Sequence, residues 1–483
     1  MQLDNKKIRS RINPDMLLER GVEIPARALQ HSVEVGTKVI DSTVEASNRM
    51  MAAVPDQLNP AQATKRAKAF WHTLGPGLTT GASDDDPSGI ATYSQAGARY
   101  GFSYLWLSLW TFPLMSVVQE MCARIGLVTG RGLAGNIRIH YSRQILRVAT
   151  FLLFVANAFN IGADLGAMAK ATQLLNPALK FWWLIVGFAL LSLLMQVFTP
   201  YARYAKWLKW LALVLLSYIV SAVIAHIDWG SALHQTLIPH ITFDRGSLLL
   251  ICAILGTTIS PYLFFWQTSQ EVEEEIAAGK TTLHDRRAAT APAEVKRMRI
   301  DIWSGMLLSN IVMFFIIAAC GGVLFPHGIT EITSAAQAAQ ALRPFAGNAT
   351  YLLFAIGVIG TGLLAIPVLA GSSSYAIAES LHWKSGLSRN LPQAYAFYGI
   401  IIISMLVGLG LNFIGLDPIK ALIYSAVGNG IVAPFILFFI VRLSSNKHVM
   451  GRWVNRRFTT AVGWFTTAVM AIAGLAAIWS LFG

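Results

Sequence analysis

Three consecutive aspartates, Asp84, Asp85 and Asp86, lie inside an otherwise apolar stretch and run straight into Pro87-Ser88-Gly89. A carboxylate inside a membrane span costs roughly 2.5 to 3.5 kcal/mol even on the lenient insertion scale. Three together need something that offsets the cost. Carboxylate oxygen beside backbone carbonyls freed at a helix break is the donor set a divalent cation requires. Asp86, immediately before Pro87, is therefore read as a direct cation ligand. Asp84 and Asp85 fit the edge of a water-filled vestibule, where their charge costs little, or accessory positions near the same ion.

A second apolar stretch is interrupted in the same manner by Gly256-Thr257-Thr258-Ile259-Ser260-Pro261-Tyr262. Glycine and proline in mid-helix release carbonyls and amides, which is tolerated only where protein or a polar cavity satisfies them. Other polar residues carry weaker signals. Asp164, in the middle of a third apolar run, is either a proton or ion relay or an acid satisfied by a neighbouring helix. Asn429, between Gly428 and Gly430, is either a further ligand or part of a small-residue packing patch. Glu271, Glu273, Glu274 and Glu275 read as a solvated loop, with gating as the other option. His226, His234 and His240 lack zinc spacing, and Cys122, Cys252 and Cys320 are scattered through apolar runs as small buried hydrophobes.

The elements that hold these residues are membrane spans. Hydrophobic residues make up 54% of the 483 and charged ones only 13%, with a mean hydropathy of +0.52. The charges gather between apolar runs of roughly 20 residues, the length that crosses a bilayer. Spans are expected at about 73–98, 103–126, 147–173, 180–199 and 207–226, then at about 247–270, 301–325, 349–377, 394–413 and 419–441, with a last at about 459–482. The count is about eleven, and loop charge tests it, because Lys and Arg accumulate on the cytosolic side. Alternate loops hold Arg131 and Arg138, Arg203 and Lys206, Arg286 and Arg287, Lys384 and Arg389, and Arg452 and Arg456, whereas the intervening loops hold little beyond Arg99, Arg245, Arg343 and Lys420. The pattern implies a multi-pass inner-membrane protein with a cytoplasmic N-terminus and an outward C-terminus. Tyr100, Tyr104, Trp106, Trp207 and Trp210 suit an interfacial belt.

The two interrupted spans begin two sets of five. Corresponding breaks in two halves are the sequence pointer to a central site in an inverted-repeat transporter. The organisation expected is a charged cytosolic tail over 1–71 and a transporter domain over 72–483. Within that domain, repeat one covers about 73–226, repeat two about 247–441, and an extra helix about 459–482. The tail, without a signal-peptide core, has loose helical spacing that fits the membrane surface, a cytosolic loop or disorder. The net charge of +13 flanks the spans instead of forming one patch, which excludes a nucleic-acid partner.

At this point a resemblance becomes specific. Asp86-Pro87-Ser88-Gly89, preceded by Gly75-Pro76-Gly77-Leu78, is similar to the Asp-Pro-Gly-Asn signature of the Nramp transporters. The segments from Gly126 to Ala134 and from Met450 to Asn455 are similar as well. The resemblance implies an all-α, LeuT-like inverted five-plus-five fold with discontinuous helices 1 and 6 and a divalent metal bound between them. Carried over, the family's aspartate falls on Asp86 and its asparagine on Gly89. The sixth-helix pattern falls on Thr257, Ser260, Pro261 and Tyr262, so serine replaces a methionine ligand and tyrosine a histidine. In the third helix one acid falls on Asp164, another is lost at Ala167, and an upstream glutamate falls on Asn157.

Thioether sulfur favours softer metals, whereas Thr257 and Ser260 offer hard oxygen, so a roomier site for partly hydrated Mg²⁺ or Mn²⁺ is expected. These departures resemble those of the Nramp-related magnesium transporters, and they also put proton coupling in question. Three functions are weighed. The first is uptake of a divalent cation by alternating access, with Asp86 as principal ligand, no resident cofactor and a monomeric unit, protons being the candidate coupling ion. The second is an amino-acid or organic-cation transporter on the same scaffold, although the acid triplet opposes an anionic carboxylate. The third, a membrane-embedded hydrolase, needs a second catalytic cluster that the sequence does not display.

Overall fold

The computed structural model describes residues 70 to 482 apart from 72, 226, 243, 289, 333, 334 and 415 to 417. The tail expected over 1–71 thus lies almost wholly outside the described residues, as does His226. The chain divides into Met1–Thr73 and Leu74–Gly483, and the second unit is the subject below. Its described residues form helices and short links, without a strand.

In chain order the spans are Pro76–Asp84 with Pro87–Tyr100, Leu105–Thr129, Arg143–Leu175, Phe181–Phe198, and Tyr201–Leu211 continuing through a 3-10 turn into Leu216–Ile224. The second set is Arg245–Thr258 with Pro261–Ala277, Pro292–Val323, Gly347–Ser380, Tyr395–Leu411 and Pro418–Ser444, and Arg457–Phe482 follows. They are numbered one to eleven below. Eight of them are long and apolar enough to cross a membrane by length and composition alone. The other three fall short for visible reasons. The first span is broken and holds three acids, the second carries Gln119, Glu120 and Arg124, and the ninth has only 17 residues.

Both breaks follow from one steric rule. A residue before proline is pushed out of the helical region. Asp86 takes φ −67°, ψ 169° before Pro87, and Ser260 takes φ −84°, ψ 133° before Pro261. Each helix stops there and restarts with the proline in its first turn, where the missing N–H is not needed. Proline alone is not sufficient, because Pro113, Pro367 and Pro434 sit inside continuous helices. At the breaks a polar side chain takes over the orphaned backbone. Asp86 accepts from Gly89 N at 2.7 Å, and Ser260 Oγ donates to the carbonyls of Gly256 and Thr257, both at 2.6 Å.

Small residues bring the half-helices against their neighbours. A Cβ added to Gly81 would lie 2.3 Å from the Gly305 carbonyl oxygen, so the first half of span one lies directly on span seven. A Cβ at Gly256 would lie 2.1 Å from the Ala426 carbonyl oxygen, which locks the first half of span six to span ten. Side chains on outer spans face outward, with Trp183 on span four 74% exposed, whereas the most apolar stretch of span six is 83% buried. An apolar outer band around a polar-centred bundle is the arrangement a bilayer demands.

Two expectations are corrected. Glu271, Glu273 and Glu275 are not in a solvated loop but on the helix Pro261–Ala277, and all three are buried. Glutamate is a good helix former, and each acid has its own partner. Gln267 donates to Glu271, Tyr375 and the Leu387 and Ser388 amides donate to Glu273, and Lys280 pairs with Glu275 at 3.3 Å. Glu274 is exposed and accepts from Tyr201. Tyr104 is no belt residue either, being 1% exposed and hydrogen-bonded to Ser247 and Thr242, whereas Trp207 and Trp210 are exposed as a belt requires.

Candidate functional site

The site is built where the two breaks meet. Asp86 is the N-cap of Pro87–Tyr100, and it is fully buried. Its Oδ1 accepts from the Gly89 amide and from Ser88 Oγ, each at 2.7 Å, and its Oδ2 accepts from Asn160 Nδ2 at 2.7 Å. Three donors hold the carboxylate in one orientation and leave an acceptor direction on Oδ2. No Lys or Arg pairs with it among the described residues. The positive end of the Pro87–Tyr100 helix therefore faces this carboxylate in the place of a basic side chain.

Gly89 brings the second break to the first. A Cβ at Gly89 would meet Thr257 Oγ1 at 3.1 Å and the Asp84 carbonyl oxygen at 3.2 Å. The hydroxyl of Thr257, the carbonyl of Asp84 and the carboxylate of Asp86 thus surround a glycine that has no side chain to separate them. Tyr262 spans the junction by donating to the Ser83 carbonyl at 3.0 Å, and Tyr93 and Thr258 share a hydrogen bond of 3.2 Å. Ser260 is close in sequence to this point, but its hydroxyl proton is directed at its own helix, so it serves first to close the carbonyls of span six.

Asp84 and Asp85 depart from the vestibule reading. Both are sealed from solvent, because the helix continues through Asp84 and is pressed against span seven at Gly305. Asp84 Oδ2 accepts from Ser309 at 2.9 Å, while neither oxygen of Asp85 has a donor among the described residues. Asp164 is buried in span three with both oxygens equally unpartnered, so the neighbouring-helix partner weighed for it is absent among the described residues. The Oδ1 atoms of Asn429 and Asn160 are also buried without a donor. Such oxygens are costly unless a proton, water or cation meets them.

Among the described residues no three acidic, histidine or cysteine side chains converge into a ready metal cage. What the breaks assemble is a mixed set: one oriented carboxylate, hydroxyls and main-chain carbonyls. Hard oxygen ligands of that kind suit an ion that keeps several waters and leaves again.

Two residues escaped the sequence reading. Asn160 holds Asp86, and its signal was the polar series Asn157, Asn160, Asp164 at helical spacing along one face of span three. Asp301, on span seven, accepts from the amides of Gly75, Gly77 and Leu78 at 2.7, 2.7 and 3.1 Å. It caps the first half-helix, whose own N-cap position is Gly75 and supplies no side chain. A helix opening on Gly-Pro-Gly must borrow its cap, and that was the legible sign.

A bundle whose first and sixth spans break against each other around a buried acid is the architecture of an inverted-repeat secondary transporter. The chain belongs to the Nramp family: the family model described as natural resistance-associated macrophage protein-like matches residues 77–480. It is similar to the divalent metal cation transporter MntH of Deinococcus radiodurans, 27% identical over 417 residues that make up 85% of this chain and 90% of that protein. It is likewise 26% identical to the MntH of Chromohalobacter salexigens over 436 residues, 89% of this chain and 96% of that one. The solved structure of the Eremococcus coleocola manganese transporter, bound to an aromatic bis-isothiourea substituted compound, superposes with a TM-score of 0.66 at 19% identity, covering 85% of this chain and 87% of that chain. Mhp1, a nucleobase-cation-symport-1 family transporter, gives a TM-score of 0.54 at 16% identity over 84% of this chain and 91% of its own. Both likenesses are likenesses of fold.

Proposed function

We propose that this chain carries divalent metal cations across the membrane by alternating access, with Asp86 as the principal ligand. The observation that carries the proposal is the buried Asp86 carboxylate, oriented at a break by Ser88, Gly89 and Asn160 and paired with no basic side chain among the described residues. Family membership and relatives named as divalent metal cation transporters support the same reading.

The ion enters as cargo and no resident cofactor is needed. Asp86 Oδ2, Thr257 Oγ1 and carbonyls at the two breaks supply hard oxygen, with Ser260 closing the backbone beside them, and Gly89, without a side chain, lets the two breaks approach. This set favours Mn²⁺ or Mg²⁺ over a soft metal such as Cd²⁺. Asp84, Asp85, Asp164, Tyr262 and Asn429 are accessory, by their charge or polarity near the path. Protons are the candidate coupling ion, and Asp164, without a hydrogen-bond donor among the described residues, is the group placed to accept one. Relatives named as transporters favour this over a hydrolase. The alternation of Arg and Lys between links supports an inner-membrane chain with its N-terminus in the cytoplasm and its C-terminus outside; a monomeric transport unit is part of the same proposal.

The test is flux into proteoliposomes loaded with a pH dye, comparing Mn²⁺, Mg²⁺, Ca²⁺ and Cd²⁺. Uptake of a divalent ion that disappears in Asp86→Ala is the expected result. Undiminished uptake by that variant contradicts the assignment, and metal entry without acidification removes the proton from the cycle.

A further inference from the structure

At the end of the bundle where spans two, six and eight finish, a cavity of about 490 Å³ opens between three links. Its volume falls within the range of small-molecule sites, roughly 300 to 1,000 Å³. Five cationic side chains line it: Arg131 and Arg138 beyond span two, Arg286 from the link after span six, and Lys384 and Arg389 after span eight. Two carboxylates, Glu273 and Glu379, are also present, and both are already engaged. Glu273 accepts from Tyr375 and from two amides of the link after span eight, and Glu379 accepts from Gly135 N and Ser269 Oγ. They brace the walls.

The guanidinium groups are held without being neutralised. Arg286 donates through Nε to the Gly130 carbonyl and through Nη1 to those of Lys280 and Thr281. Arg389 donates through Nε to the Ser385 carbonyl, and Arg138 Nη2 lies 2.8 Å from His382 Nδ1. Among the described residues none of the five lies within 4.0 Å of a carboxylate oxygen. Arg138 Nε is buried with no acceptor among the described residues. A charged N–H in that position loses its hydration without compensation, which is costly unless an anion arrives. Burial, and then the nearby guanidinium groups of Arg287, Arg138 and Arg286, lower the Arg131 group below its ordinary range.

We propose that this cavity is a binding site for a phosphate-bearing anion, either a lipid headgroup or a soluble phosphate ester or diphosphate. Forked guanidinium donors from separate segments match tetrahedral phosphate oxygens bidentately, and basic pockets between spans take anionic headgroups. Occupancy ties together the links after spans two, six and eight, and so biases the mobility of the second half of span six. The inference is independent of which ion moves between the breaks.

The experiment uses the purified full chain in two arms. Sodium pyrophosphate is titrated calorimetrically at low salt in neutral detergent, and thermal melting is followed in nanodiscs of phosphatidylcholine with and without phosphatidylglycerol. Saturable pyrophosphate binding that weakens about tenfold or more in Arg131→Gln/Arg138→Gln supports the site and marks it as open to soluble ligands. Stabilisation by phosphatidylglycerol alone, lost in that variant, supports it as a headgroup site. Lys384→Gln/Arg389→Gln, on an exposed link, gives the same reading should the first pair fail to fold. No saturable effect in either arm, or an effect unchanged in the variants that fold, overturns the proposal.

Discussion

Asn160 on span three donates its Nδ2 to Asp86 Oδ2 at 2.7 Å, across 74 residues of chain. The contact fixes the one carboxylate oxygen that keeps an acceptor direction free, and it ties span three to the break in span one. Removing a hydrogen bond to a charged group costs roughly 1.5 to 3 kcal/mol. Asn160→Ala is therefore expected to raise the KM for Mn²⁺ uptake roughly tenfold or more. A KM equal to that of the wild type, with normal folding, removes Asn160 from the site.

The contact of Gly89 with Thr257 gives a second expectation. An added methyl would meet Thr257 Oγ1 at 3.1 Å, so that hydroxyl must give way by a few tenths of an ångström. Overpacking of this kind costs roughly 1 to 3 kcal/mol. Gly89→Ala is expected to lower the melting temperature, and Gly89→Ala/Thr257→Ala to recover part of the loss. Strict additivity of the two changes in a double-mutant cycle contradicts the contact.

Ser260 closes the carbonyls of Gly256 and Thr257, both at 2.6 Å. Ser260→Met releases those carbonyls and brings a soft thioether to the break. Competition by Cd²⁺ against Mn²⁺ uptake is expected to strengthen roughly tenfold. Unaltered competition places residue 260 outside the path of the ion.

Asp301 is expected to matter through stability. It satisfies three amides of the helix that carries the acid triplet. Asp301→Ala leaves these donors unsatisfied and is expected to cost on the order of 3 kcal/mol. Asp301→Asn, which keeps one acceptor oxygen, is expected to lose about half as much. Equal melting temperatures for both variants and the wild type count against a capping role.

Much of this was legible because membrane burial leaves few ways to place polar groups. Hydropathy marked each of the long spans but not the short helices between them, such as Leu133–His140 and Trp229–Leu237, and most of the spans outrun their apolar middle, as Arg143–Leu175 does at both ends. The glycine- and proline-bearing windows Gly81–Gly89 and Gly256–Tyr262 contained both breaks, since pre-proline sterics act locally. Contacts between distant segments were not legible in that way. Asn160 and Asp301 reach the first span from helices whose docking depends on glycine contacts such as that between Gly81 and Gly305. The glutamates after Ser269 misled because a charge run looks alike on a solvated loop and on a buried helix end. Only the partners, Tyr375 and the amides of Leu387 and Ser388 among them, tell the two apart.

The central claim is that a dication meets the Asp86 carboxylate directly. The most direct measurement is anomalous diffraction from crystals of the wild-type chain soaked in Mn²⁺, with Asp86→Asn treated in parallel. The account expects a single strong peak at ligand distance from Asp86 Oδ2, near Thr257 and the two breaks, that vanishes in the variant. A peak elsewhere in the bundle, or one that persists in Asp86→Asn, would contradict it.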